Sequence, residues 1–180
     1  MGQVKWFNRE FNFSATQNIF PSIIERLAGT PARLEEKLGS IPQETLTVRV
    51  NGTWTIKENA GHLTDLEPLW QGRLDDILNG RNALRPTDLQ NNKTSTANHD
   101  AVPTAELLHR FRQIRNRTVG LLENLDEKQI FSFALHPRLK TPMRTMDLFL
   151  FVAEHDDHHL ARISELAKLI GKIKQTPTSG

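Results

Sequence analysis

Apolar residues recur at three- and four-residue intervals over most of the chain, the spacing of one buried helix face. The longest such pattern covers residues 142–170, with Leu148, Val152, Ile163, Leu166 and Ile170 on one stripe. Thr141 as N-cap, Pro142 in the first turn and Gly171 just past the end predict its limits. A second helix is predicted from about Thr55 to Asn79, stopping at Gly80, with Leu63, Leu66, Leu69, Trp70 and Ile77 as its apolar arc. A third starts near Pro103 and Thr104 and turns Leu107, Phe111, Ile114, Thr118 and Leu121 inward. Nearer the N-terminus, Ile19, Ile23, Ile24 and Leu27 predict a helix that starts or kinks at Pro21. Thr30-Pro31 then restarts a short helix, which carries Leu34 and Leu38 and ends at Gly39. Leu46 to Val50 alternates weakly, as a brief strand or an extended arm would.

One stretch, Gly80 to Val102, breaks the pattern: it is polar and rich in Asn, Thr and Pro. Loops of that length inside a helical domain are functional or disordered. Helix ends border the mouth of an interior pocket, so part of this loop is a candidate cover for one. The whole predicts an all-α fold, a four-helix bundle with long connecting loops, as one domain over residues 1–180 with its core at about 6–171.

Composition narrows the function. At 180 residues, 37% apolar and 24% charged, the chain excludes collagen-like and disordered classes. No apolar run approaches the roughly 18 residues needed to span a bilayer, and the opening MGQVKWFNREFNF lacks the apolar core of a signal peptide. A cytoplasmic protein with no membrane partner is expected. With 23 basic and 21 acidic residues the net charge is +2, which gives no reason to expect nucleic acid. The chain has no cysteine, which removes disulfides, thiolate metal sites and a Cys nucleophile. Tyr is absent as well, so the 7 histidines are the residues left with rich chemistry.

The run Glu154-His155-Asp156-Asp157-His158-His159 carries the strongest signal. At about 100° per residue His155 and His159 sit one turn apart on the stripe of Leu148 and Leu166, while His158 points well to one side. Two histidines at i and i+4 can converge on one metal ion, and once buried they need partners that a metal supplies. His62, at the edge of the second helix's arc, is the candidate third nitrogen from a facing helix. Three neutral imidazoles leave positions open for water or substrate, as catalytic metals do. Asp65, three residues after His62, is a candidate to orient a ligand or to take a proton; Glu58 is read as an ordinary helix acid, and Asp75 and Asp76 as solvated ones. His99 reads as a loop residue, His109 as a helix surface residue and His136 as part of a Pro-containing turn.

The segment Trp54-Thr55-Ile56-Lys57-Glu58-Asn59-Ala60-Gly61-His62-Leu63-Thr64-Asp65, followed about 90 residues later by His155-Asp156-Asp157-His158-His159, resembles the two signature motifs of the DinB/YfiT-like superfamily of metal-dependent enzymes. The resemblance covers about residues 6–170. It implies an up-down-down-up four-helix bundle, a homodimer, and a divalent metal (Zn, Ni, Fe or Mn) held by His62, His155 and His159. His158 matches a position that does not ligate. Relatives of known activity include thiol-dependent transferases and an isomerase that use small thiols such as bacillithiol or mycothiol; others are named as hydrolases.

Two functions of different class follow. In one, the tri-histidine metal activates water or a low-molecular-weight thiol cosubstrate against a small-molecule substrate, as a hydrolase or thiol S-transferase. In the other, the bundle is a non-catalytic metal- or small-ligand-binding stress protein. A third possibility is structural, with the histidines satisfying one another. An open site beside a pocket favours the first.

Overall fold

The computed structural model describes residues 3–13 and 15–175. Four long helices make the body: α1 (Phe20–Gly39), α2 (Ile56–Leu78), α4 (Thr104–Glu123) and α6 (Thr145–Gln175). Between them lie two five-residue helices, α3 (Asn92–Thr96) and α5 (Glu127–Phe131), and an antiparallel pair of short strands, β1 (Phe133–Leu135) and β2 (Pro142–Arg144). α1 and α2 each pack against both α4 and α6, so the two helices first in sequence stand at opposite corners.

Side-chain contacts give the directions. Asn59 meets His159 whereas Trp70 meets His155, so α2 runs antiparallel to α6. Arg26 bonds Asp157 and Lys37 bonds Ser164, so α1 and α6 are parallel. Lys57 bonds the carbonyl of Val102 just ahead of α4, and Gln71 bonds Thr118, so α2 and α4 are parallel. The bundle is therefore up-down-down-up. Two parallel successive helices need a connection as long as the bundle, which is why residues 79–103 are so many. They return along α2, where α3 and the 3-10 turn at His99–Ala101 pack on it.

The buried apolar residues form two clusters, one with Leu27, Trp70, Val119 and Ala153, the other with Leu34, Leu63, Phe111 and Leu160. On every long helix a polar residue separates them: Thr30, Glu67, Arg115 and Asp156. Arg115 is fully buried; its Nε donates to Glu67 at 2.7 Å and its guanidinium also pairs with Asp156, to which Thr30 donates at 3.0 Å. Burial works against the Arg115 charge, but Asp156 and Glu67 outweigh it and hold its pKa above the ordinary value. Burial likewise raises Glu67, against the pull of Arg115.

Several boundaries differ from the sequence reading. α1 is one continuous helix through Pro31. The carbonyl that Pro31 cannot serve, that of Leu27, accepts from Arg115 at 3.4 Å instead. α6 starts at Thr145, because Pro142–Arg144 pair with β1, and it runs on through Gly171. Residues 46–50 form no strand; they lead from a 3-10 turn at Gln43–Thr45 into a turn in which Asn51 and Gly52 take positive φ. α2 begins as expected, with Thr55 and Glu58 closing a reciprocal capping box. Asp76 is not solvated: Arg85 clamps both its carboxylate oxygens at 2.9 Å.

Candidate metal centre

α2 and α6 bring His62, His155 and His159 together in the polar layer, all three buried. One ring nitrogen from each lies within 4.8 Å of the others. Ring centroids are 4.6 Å apart for His155 and His159, and the His62 centroid is 4.8 Å from that of His159 and 5.2 Å from that of His155. His158 lies outside this group and packs edge-on against His159.

Hydrogen bonds fix which nitrogen is free. Asn59 Nδ2 donates to the carbonyl of Thr55 at 2.8 Å, which turns its Oδ1 to accept from His159 Nδ1 at 3.0 Å. Thr94 Oγ1 donates to Asp65 Oδ2 at 2.9 Å, so at 2.9 Å from His62 Nδ1 it accepts. Both rings thus carry their proton on Nδ1 and hold a bare lone pair on Nε2. His155 Nε2 stands 3.3 Å from His159 Nε2, and His155 Nδ1 has no partner among the described residues. Two ligands at about 2.0–2.1 Å from a tetrahedral ion stand about 3.3 Å apart, so the pair fits one cation. Burial lowers the His62 pKa to about 4, with Asp65 opposing, and pushes His155 and His159 well below the usual histidine range. Neutral imidazoles are what a metal requires.

Asp65 lies behind His62, outside the pocket lining. Its Oδ2 also meets His99 Nε2 at 2.8 Å. His99 is thus no free loop residue: its ring lies on α2 at Gly61, where a Cβ would come within 2.3 Å of it. That close approach is what requires glycine. Glu58 serves the capping box and Arg49, away from the cluster.

A cavity of about 600 Å³ opens onto the three histidines. All three tryptophans of the chain line it. The Trp6 ring sits 4.9 Å from that of His155, Trp54 4.8 Å from His62 and Trp70 5.8 Å from His155. Sequence reasoning passed over Trp6 and Trp70 as wall residues, although three tryptophans in a chain with no tyrosine were a signal. The long connection does line the cavity, as expected of part of residues 80–102, through Pro86 to Leu89 and Asn91. Arg73 was passed over as lining, and His136 is buried rather than a simple turn residue.

The family model for the DinB superfamily matches residues 26–163. YfiT of Bacillus subtilis (strain 168) is 25% identical over 150 residues, spanning 82% of this chain and 84% of that protein. Its solved structure, described as a "probable metal-dependent hydrolase with an unusual four-helix bundle topology", superimposes with a TM-score of 0.77 at 23% identity, over 91% of this chain and 94% of YfiT. A protein from Streptococcus pneumoniae matches with a TM-score of 0.65 at 13% identity, over 86% of this chain and 93% of its own. The colibactin self-resistance protein ClbS, solved in complex with double-stranded DNA, matches with a TM-score of 0.63 at 16% identity, over 86% of this chain and 98% of its own.

Proposed function

The chain belongs to the DinB superfamily, and from that footing we propose that it is a metal-dependent hydrolase acting on a small molecule, with His62, His155 and His159 as the ligands of one divalent cation. The observation that carries the reading is the opening of the inward-facing histidine nitrogens onto the 600 Å³ cavity, since a storage or structural metal would be closed off. When bound, the ion would act as a Lewis acid and ease deprotonation of a water or a small thiol.

The chain's own residues prepare for this. Asn59 and Thr94 hold His159 and His62 in the tautomer that presents Nε2. Asp65 acts through Thr94 and is a positioning residue. Trp6, Trp54 and Trp70 wall the site with apolar surface and limit access of bulk water. Because the chain holds no cysteine, any thiol chemistry would take its thiol from a cosubstrate. A homodimer in the cytoplasm is part of the same reading, with light scattering of the purified protein as the check on the dimer.

Metal analysis of protein purified without added metal or nickel affinity resin tests the site: about one divalent ion per chain is expected. Loaded protein is then screened against ester, amide and phosphoester substrates with and without a small thiol. Turnover that needs the metal but not the thiol supports the hydrolase; turnover only with the thiol would replace it by a transferase. Absence of bound metal after loading would overturn the reading.

A further inference from the structure

Beside Trp70 the cavity holds a second set of polar groups. The Arg73 guanidinium lies over the Trp70 ring, 5.5 Å from its centroid. Arg73 is only 1% exposed, yet its Nη2 has no hydrogen-bond partner among the described residues. Its Nε donates to the carbonyl of Arg85 at 3.1 Å. The carboxylate nearest in charge, Asp76, is committed to Arg85 at both oxygens.

The ring of His136 completes the set. Its Nδ1 accepts from the backbone N–H groups of Arg138 and Leu139, at 3.3 and 3.1 Å. The neutral ring therefore carries its proton on Nε2, which faces Arg73 Nη1 at 3.4 Å. Two donors that face each other across that gap have no acceptor between them. Arg138, also in the cavity wall, meets the Phe7 ring and has no carboxylate partner among the described residues. A buried guanidinium with an idle N–H costs stability unless something anionic arrives to share it. Burial lowers the Arg73 pKa to about 10, with Asp76 opposing, which leaves it charged at neutral pH.

We propose that Arg73 and His136 bind the oxyanion of the substrate, a carboxylate or phosphate borne by a small molecule whose apolar part rests on Trp70. The inference rests on the metal-site reading above for the identity of the ligand as substrate, but the subsite itself stands on Arg73 and His136 alone. An Arg fork and a neutral imidazole N–H together match two oxygens of one such group. A substrate held there would lie along the α2–α6 groove with its uncharged part toward the histidine cluster.

Calorimetric titration with benzoate, phenyl phosphate and the neutral isostere benzamide tests this, on metal-loaded protein and on protein stripped with chelator. At least one of the two anions is expected to bind about tenfold tighter than benzamide, a preference of about 1.4 kcal/mol. The preference is expected to survive chelation, and the tighter anion names the oxyanion. Arg73→Met is expected to abolish it, and His136→Phe to reduce it, with melting temperature and metal content kept in the second variant should the first fold poorly. Equal binding of benzamide, or a preference that both variants retain, would overturn the subsite. A preference lost on chelation would overturn it too, by placing the anion on the metal and so leaving the metal-site reading intact. Failure to bind metal with the anion preference preserved would sink the metal site and support the subsite.

Discussion

The carboxylate of Asp65 is linked to the ring of His62 through Thr94, whose hydroxyl donates a hydrogen bond to Asp65 Oδ2 and accepts one from His62 Nδ1, each at 2.9 Å. Thr94 comes from the short helix α3, in the long connection, and is buried against α2. Thr94→Val removes the acceptor of a buried N–H and frees the His62 ring to rotate. Metal affinity is expected to fall about 10–100-fold, the usual cost of losing an outer-shell partner. Thr94→Ser keeps the relay and is expected to bind nearly as wild type. Competition with a chromophoric chelator measures both; wild-type affinity in the valine variant would break the relay's assignment.

His158 offers the contrast within one helix turn. It lines the cavity but stays out of the cluster, with its ring perpendicular to that of His159. His158→Ala is expected to keep close to one metal per chain, whereas His155→Ala and His159→Ala lose tight binding. Elemental analysis after dialysis against chelator separates the cases. Equal loss in all three would show that the ligands are misassigned.

The wheel position of His155 and His159 was legible because a period of 3.6 residues is a local property, and so was the start of α2 near Thr55, though not its capping box. The facing of His62 needed the fold, and there the family motif supplied what periodicity could not. Thr94, Arg73 and Arg115 were not legible. Each depends on contacts far along the chain: Thr94 with Asp65, Arg73 with His136, Arg115 with Asp156. An arginine in a helix reads as a surface residue until its partners are known to be buried beside it. The strand pair of residues 133–144 was missed for another reason: Pro142 and Thr141 mimic a helix start, and three-residue strands carry no readable alternation.

Arg115 carries its own test. Neither it nor its partners Glu67 and Asp156 is reached by solvent. Arg115→Met strands two carboxylates between the apolar clusters, and a loss of about 3–5 kcal/mol is expected. Adding Glu67→Gln and Asp156→Asn removes the stranded charges and is expected to return part of that loss. Urea unfolding of the single and triple variants measures it. A single variant within about 1 kcal/mol of wild type would mean that water or a shifted backbone serves the carboxylates, against the burial seen here.

Gly61 is the last position to test, because its missing side chain is what lets the long connection close over α2. His99 fills the space where a Cβ would stand, and from there its Nε2 meets Asp65 at 2.8 Å. A methyl group at 61 would touch the imidazole at Cγ and Nδ1, at the root of the ring, so no swing of a flexible tip relieves it. The ring and the 3-10 turn that carries it must move, and the Asp65 contact goes with them. In a helix interior Ala is otherwise about 1 kcal/mol better than Gly, so the intrinsic effect runs the other way. Gly61→Ala is therefore expected to destabilise the wild-type protein and to raise proteolysis within residues 80–102. In a His99→Ala background, where the space is vacant, the same change is expected to be neutral or stabilising. That reversal of sign in a double-mutant cycle is the measurement. Equal destabilisation in both backgrounds would mean that His99 is not what the glycine accommodates.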